Sequence, residues 1–319
     1  MGAGMNLEQH TTPETIKRIY ESYVAKRKNE HRPHLGGSQI GKECSRALWY
    51  QFRWAWTPRF EGRMLRLFET GDREEERIVR NLRDIGVTVW DRDPDTGKQV
   101  RFEACGGHFA LSLDGVGEGF PESSQAHTIE MKTMNTKKFT ALKNKGLQEV
   151  IPVYWAQCQV GMHLSGLHRC AFITVCKEND ELYMERIKYD AAEAMKLIAK
   201  ADSIIFSDNP PPRISNDMTD FRCKFCDYFA ICHGCKIPEV NCRTCAHVTP
   251  ERDGTWSCAR GHEVGGPCTD HLFIPKIMPP DLEVHDAGPT WVEYRDTDTG
   301  EIVRNEENSA TLYKSRMMD

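Results

Sequence analysis

The sequence predicts an α/β (α+β) fold, a mostly antiparallel sheet flanked by helices, and three observations predict it. Segments of strand-like pattern at 87–91, 100–104, 109–114, 128–133, 171–177 and 182–188 are punctuated by the turns DPDTG and KENDE. Helical periodicity precedes them at Ile16, Ile19, Tyr20, Tyr23 and Val24, and follows them at Met195, Ile198, Ile204 and Ile205. A proline run, Pro210 to Pro212, then breaks the pattern ahead of a cysteine-rich end.

In chain order, Thr12 is placed to cap the first helix, with Pro13 in its first turn. A basic loop over 26–37 leads to 38–52, which reads as a short helix carrying Cys44 and Arg46. Residues 72–85 form a helix stopped by Gly86. Glu75, Ile78, Val79 and Leu82 share its packing face, whereas Glu76 lies with Arg80 and Arg83. A carboxylate on an apolar face needs a partner; for Glu75 that is either a nearby arginine at the stripe's edge or a metal site. Between the fourth and fifth strands lie a basic connection (Lys137, Lys138, Lys143, Lys145) and a helix after Pro152 containing Tyr154, Trp155, Gln157 and Gln159. Those lysines read as a solvated face or as phosphate contacts. Asp190 caps the next helix, with Glu193 as capping-box partner. Residues 291–295 and 301–304, around DTDTG, read as a hairpin.

The stretch from Ser112 to Thr133 carries the chemistry. In SLDG and HTIEMKT, strand alternation puts Glu130 and Lys132 on one face and Ile129, Met131 and Thr133 on the other, while Ser112 and Asp114 oppose Phe109, Leu111 and Leu113. If the two strands pair, Asp114 and Glu130 lie side by side. Adjacent carboxylates resist joint ionisation, and Mg²⁺ or Mn²⁺, which prefer oxygen ligands, relieve that repulsion. Such a cation acidifies bound water and stabilises charge on a phosphoryl oxygen. An exposed ion-pairing face is the plainer reading of the same residues.

At 319 residues with a net charge of −5, the chain is long enough for one large or two smaller domains and too acidic to coat nucleic acid through bulk charge. No apolar run reaches the roughly 18–20 residues of a membrane helix, and the polar N-terminal stretch lacks a secretory apolar core. A cytoplasmic protein is therefore expected. There, the 13 cysteines point to metal rather than disulfides. Cys105, Cys158, Cys170 and Cys176 read as small buried hydrophobes.

Two constellations remain. Cys223-x2-Cys226-x5-Cys232 lacks a fourth ligand, which is either Cys235, giving a local zinc ribbon, or the distant Cys44, giving an iron-sulfur site. Cys242-x2-Cys245-x12-Cys258-x9-Cys268 carries zinc spacing, with His262 and His271 competing for the place of Cys268. A rival grouping joins Cys232 and Cys235 with Cys242 and Cys245. A unit this short needs its metal to fold.

The order of these motifs resembles one family. GKEC-x-R-x-LWY around Cys44, a helix with an inward acid, an Asp strand, an E-x-K strand, a Gln helix and C-x2-C-x5-C resemble the RecB-type branch of PD-(D/E)XK nucleases over roughly residues 35–235. Within it, the iron-sulfur nucleases of CRISPR adaptation, AddB-type nuclease domains and phage-encoded exonuclease-like proteins are most similar. The resemblance implies a restriction-endonuclease-like mixed central sheet flanked by helices and metal-dependent DNA cleavage, often from an end. It implies that Asp114, Glu130 and Glu75 bind the catalytic Mg²⁺ or Mn²⁺, with Lys132 as motif lysine and Gln157 as motif glutamine. It implies a [4Fe-4S] cluster on Cys44, Cys223, Cys226 and Cys232, leaving Zn²⁺ to Cys242, Cys245, Cys258 and Cys268. The implied organisation is an N-terminal helix (1–34), a nuclease domain (35–236), a zinc unit (237–280) and a tail with a hairpin (281–319).

Two positions depart from the family pattern. Gly161 stands four residues after the motif glutamine, where a tyrosine is usual, and Asp72 follows Gly71, where relatives have histidine. The implied activity is DNA exonuclease action in phage or prophage recombination or DNA processing, with linear DNA and a recombination protein as partners, in the host cytoplasm if phage-encoded. A DNA-end or partner-binding factor with an impaired site is the alternative. A zinc-ribbon nucleic-acid binder, which predicts zinc but no iron, is a third.

Overall fold

A computed structural model describes residues 13–27, 31–266 and 268–306. Helix α1 (Glu14–Lys26) follows Pro13, and the expected cap Thr12 lies outside the described residues. After β1 (Leu35–Gly36) comes α2 (Ser45–Phe52), with Cys44 at its N-cap. Helix α3 (Gly62–Asp84) begins well before residue 72, where the periodicity starts it. Packing on α1 extends it: a Cβ at Gly62 would fall 2.1 Å from the Tyr20 carbonyl oxygen, and the Tyr23 hydroxyl donates to the Glu69 carboxylate. That contact carries the helix through Gly71, since an interior glycine costs only about 1 kcal/mol. Gly86, at φ +88°, ends the turn as expected.

The strands β2 (Thr88–Trp90), β3 (Arg101–Ala104), β4 (Phe109–Ser112), β5 (Gly115–Glu118) and β6 (His127–Met134) follow. The expected basic connection is largely helical, as α4 (Thr136–Lys145) and α5 (Leu147–Val150), before α6 (Pro152–Ser165) with its proline in the first turn. Then come β7 (Arg169–Cys176), β8 (Leu182–Lys188) and α7 (Ala191–Ile205). Asp190 caps α7 by accepting from Ala192 and Glu193 N–H, while the Glu193 carboxylate pairs with Lys196. Its inward face is Ala194, Leu197, Ala201, Ile204 and Ile205; Met195, expected inside, is 56% exposed.

The main sheet runs β2-β5-β6-β7-β8 and is mixed, because β6 and β7 are parallel. A parallel pair needs a long crossover, which α4–α6 supply. Helix α3 covers one face, setting Ile78, Val79 and Leu82 on Ile129, Met131 and Ile173. The crossover covers the other with Phe139, Leu142, Cys158 and Met162 on Cys170, Phe172 and Cys176. A smaller sheet runs β1-β4-β3. Residues 109–114, one strand by pattern, are therefore two: Leu113 N–H still bonds to Val100 O (3.0 Å) beside the small sheet, whereas Gly115 already pairs with Ile129 in the large one. Asp114 sits at the crossing.

After the short helices α8 (Phe221–Lys224) and α9 (Phe229–Cys232) comes a hairpin of β9 (Val248–Pro250) and β10 (Trp256–Cys258). The C-terminal meander is β11 (Leu282–Gly288), β12 (Trp291–Asp296) and β13 (Ile302–Glu306), which contains the expected hairpin; the tail beyond residue 306 lies outside the described residues. Phe273, Leu282, Val292 and Tyr294 join Leu35, Trp49 and Phe109 in one core, so the cysteine-rich end packs on the sheet domain. Among the described residues no helix is long and apolar enough to cross a membrane.

The β9–β10 turn docks through two glycines. A Cβ at Gly254 (φ +92°) would lie 2.0 Å from Gly106 O, and one at Gly106 (φ +70°) 2.3 Å from Arg252 O. Left-handed backbone alone costs a β-carbon about 1–2 kcal/mol, and the clash adds to it. Gly254→Ala is expected to lower the urea midpoint measurably, whereas alanine at Gly266, where a Cβ would meet only Glu263 O at an ordinary contact distance of 3.6 Å, should leave it unmoved.

Candidate active site and metal centres

Antiparallel register sets the site. Gly115 pairs with Ile129, so Asp114 and Glu130 come opposite one another and face the same way. Asp114 is 8% and Glu130 3% exposed. Met131 N–H donates to Asp114 Oδ2 (2.7 Å), and Gln99 Nε2 donates to Oδ1 (3.4 Å). From α6, Gln157 Nε2 donates to Glu130 Oε2 (2.7 Å). The Lys132 ammonium contacts Glu130 Oε1, lies 3.8 Å from Asp114 Oδ2, donates to Met131 O (2.9 Å) and stands 5.5 Å from the Tyr154 ring centre.

Glu75 enters from α3. With Asp72, Asp91, Asp114, Arg92, Lys98 and Gln99 it lines a cleft of about 470 Å³. No ion pair among the described residues involves Glu75; of the two alternatives, an arginine partner is not realised, and Arg92 only shares the cleft lining. The structure thus brings Asp114, Glu130, Lys132, Gln157 and Glu75 together. Gln99 and Tyr154 were missed as site residues, because a turn glutamine and a helical tyrosine carry no periodic or spacing signal.

The electrostatics match a site short of positive charge. Burial, then Asp114, pushes Glu130 up to about 8, and the same two causes push Glu75 up to about 7. Burial disfavours the Lys132 ammonium, but Glu130 and Asp114 outweigh it and hold it above its ordinary value. Lys132 is thus the cation between two carboxylates. Among the described residues no group of three or more His, Cys, Asp or Glu side chains is placed so as to hold a metal ion as it stands. The donor set still fits a hard divalent ion: Glu130 and Glu75, both raised by burial and by Asp114, plus a buried Gln157 Oε1 with no hydrogen-bond partner among the described residues.

The shifts fix a pH dependence. Between the ordinary carboxyl value of 4.5 and about 8, folded Glu130 binds more protons than the unfolded chain, so the metal-free fold loses stability as pH rises through that window. In EDTA, the urea midpoint of the parent is expected to fall from pH 5 to pH 8 more than that of Glu130→Gln, and Mn²⁺ should restore the parent at pH 8. Equal falls in both proteins would contradict the assignment.

The cysteines separate into two groups. Cys44, Cys223, Cys226 and Cys232 line one cavity with Arg213 and Arg222. Burial pushes the Cys226 thiol up, and Cys44 and Cys232 act in the same sense, a mark of their proximity. Of the two arginines, Arg213 donates to Cys232 O (2.9 Å) and Arg222 pairs with Asp220 (2.7 Å). Cys235, the alternative ligand, is exposed and outside that lining. Cys242, Cys245, Cys258 and Cys268 line a separate cavity of about 220 Å³. Gly265 N–H donates to Cys242 Sγ (3.2 Å). Of the competing histidines, His262 Nε2 pairs with Asp270 Oδ2 (2.7 Å), and His271 Nε2 lies 3.1 Å from Asn241 O. Both histidines thus have partners of their own, while Cys268 shares the cavity lining with Cys242, Cys245 and Cys258.

No family model matches the chain, and no curated protein matches it. Solved structures align at low identity. SSO0001 aligns at 14% identity and a TM-score of 0.39, over 68% of this chain and 93% of its own. LHK-Exo in complex with dAMP aligns at 16% and 0.38, over 59% of this chain and 89% of its own. The alkaline exonuclease LHK-Exo from Laribacter hongkongensis aligns at 18% and 0.39, over 58% of this chain and 90% of its own.

Proposed function

We propose that the chain is a Mg²⁺- or Mn²⁺-dependent deoxyribonuclease acting on linear DNA from its ends. The convergence of Asp114, Glu130 and Lys132, backed by Gln157 and faced by Glu75, carries this reading. Asp114, Glu130 and Glu75 would hold the cation, which would supply activation of water and charge stabilisation at the scissile phosphate. Gln157 fixes the Glu130 carboxylate through Oε2, and the Met131 N–H fixes Asp114 through Oδ2. Lys132, charged throughout the working pH range, neutralises the phosphorane-like charge or orients the attacking water. The resemblance to phage exonuclease-like proteins supports recombination or DNA processing in a host cytoplasm as the setting.

The second reading, a DNA-end or partner-binding factor, draws on Gly161. A Cβ there would sit 3.1 Å from Leu113 Cδ2. Close packing of α6 on the β4–β5 crossing thus takes the place of the family's tyrosine. Digestion of end-labelled linear and closed circular DNA with Mn²⁺ separates the readings. Loss of linear DNA alone supports the exonuclease, loss of circles an endonuclease at the same site, and no loss the binding factor.

The cofactors proposed with it are a [4Fe-4S] cluster on Cys44, Cys223, Cys226 and Cys232, and Zn²⁺ on Cys242, Cys245, Cys258 and Cys268. Protein purified without air is expected to be brown and to contain both metals. Cys226→Ser should lose iron and keep zinc, and Cys258→Ser should lose zinc and keep iron. Elemental analysis showing zinc without iron would replace the cluster by a second zinc ribbon.

A further inference from the structure

The loop between β2 and β3, residues 91–100, crosses from the large sheet to the small one at the place where Asp114 crosses back. Its shape is fixed by its own backbone and one side chain. Asp93 N–H donates to Lys98 O (2.8 Å) and Gly97 N–H to Asp93 O (2.8 Å), while Asp93 Oδ1 accepts from Asp95 and Thr96 N–H at 3.0 and 2.8 Å. Arg83 holds its start through Asp91 Oδ1 (2.6 Å), and Gln99 ties its end to Asp114 Oδ1.

This closed loop presents two cations to the carboxylate cleft. Arg92 and Lys98 line the same 470 Å³ cavity as Glu75 and Asp114. Arg92 spends one nitrogen on Gly97 O (3.2 Å) and reaches Asp91 only at 4.0 Å. Lys98 makes no ion pair among the described residues. The Arg92 charge also acts on Glu75 across the cleft. A cleft lined by Asp72, Glu75, Asp91 and Asp114 repels a polyanion, so a DNA strand entering it needs cations on the rim.

We propose that Arg92 and Lys98 form a phosphate-binding site for the DNA strand, taking a phosphate next to the scissile one, with Gln99 coupling the loop to Asp114. This rests on the nuclease reading. A phosphate in that place is held by point charge from Lys98 and by the free edge of the Arg92 guanidinium. The loop adds affinity and register, and no base recognition.

The test is equilibrium binding of a short labelled duplex in EDTA, where no cleavage competes, across a salt series. Each phosphate contact removed from duplex DNA should reduce the log–log salt slope by about 0.9. Lys98→Ala and Arg92→Ala should each lose about that much, the double variant about twice as much, and Lys98→Arg should keep the parent slope. An unchanged slope in the double variant overturns the proposal, as does a parent that binds no duplex. The same proteins are assayed with Mn²⁺. Cleavage by the parent with an unchanged slope in the double variant sinks the phosphate site alone; slope loss without cleavage sinks hydrolysis and keeps the site.

Discussion

Lys132→Ala is expected to slow Mn²⁺-dependent DNA hydrolysis by about two to three orders of magnitude, the usual cost of one preorganised charge-stabilising group. Lys132 is held from four sides, by Glu130, Asp114, the Met131 carbonyl and the Tyr154 ring. Holding it so costs no reorganisation when charge develops on a phosphate. Its removal also leaves two buried carboxylates facing one another, so metal-free Lys132→Ala should be less stable than the parent at pH 8, and Mn²⁺ should narrow the gap. Initial rates of nucleotide release, with circular dichroism to check the fold, measure both effects. A rate within threefold of the parent would remove Lys132 from the chemistry.

Arg243→Ala is expected to destabilise the protein by about 3 kcal/mol, from two hydrogen bonds to carbonyls and stacked aromatic contacts in a desolvated setting. The side chain is 6% exposed. Its guanidinium donates to Phe52 O (3.0 Å) and Pro33 O (2.8 Å) and lies 3.8 Å from the Trp54 ring centre and 4.5 Å from that of Trp256. It joins the turn that carries Cys242 and Cys245 to α2, next to which Arg53 is likewise buried against Trp49 and Trp256. Burial pulls Arg243 down to about 9, which still leaves it charged at neutral pH. Lysine offers no flat, forked cation, so Arg243→Lys should rescue little. A urea midpoint unchanged in Arg243→Ala would show that these contacts do not hold the cysteine-rich end in place.

Much of the site was legible because strand alternation and register are local. Glu130 and Lys132 share a face by period two, and Gln157 lies one helix away on the crossover that a parallel pair demands. The kink at Asp114 was hidden, since Phe109, Leu111 and Leu113 alternate without a break while the chain changes sheets beneath them. The early start of α3 was hidden for a similar reason: it depends on the close approach of Gly62 to Tyr20, a tertiary contact that periodicity does not carry. The parallel β6–β7 pair, the docking of Gly254 on Gly106 and the aromatic cage of Arg243 are likewise long-range. Cysteine spacing proposed the two groups. Cys44, 179 residues before Cys223, could be added only through resemblance to a family.

The most direct test is Mn²⁺ binding followed by electron paramagnetic resonance at pH 8, with DNA hydrolysis read in the same samples, for the parent, Asp114→Asn and Glu130→Gln. A carboxylate metal site predicts saturable binding and hydrolysis in the parent, with both lost or weakened at least tenfold in each variant. Mn²⁺ binding and hydrolysis unchanged by either substitution would place the metal, and the chemistry, elsewhere in the molecule.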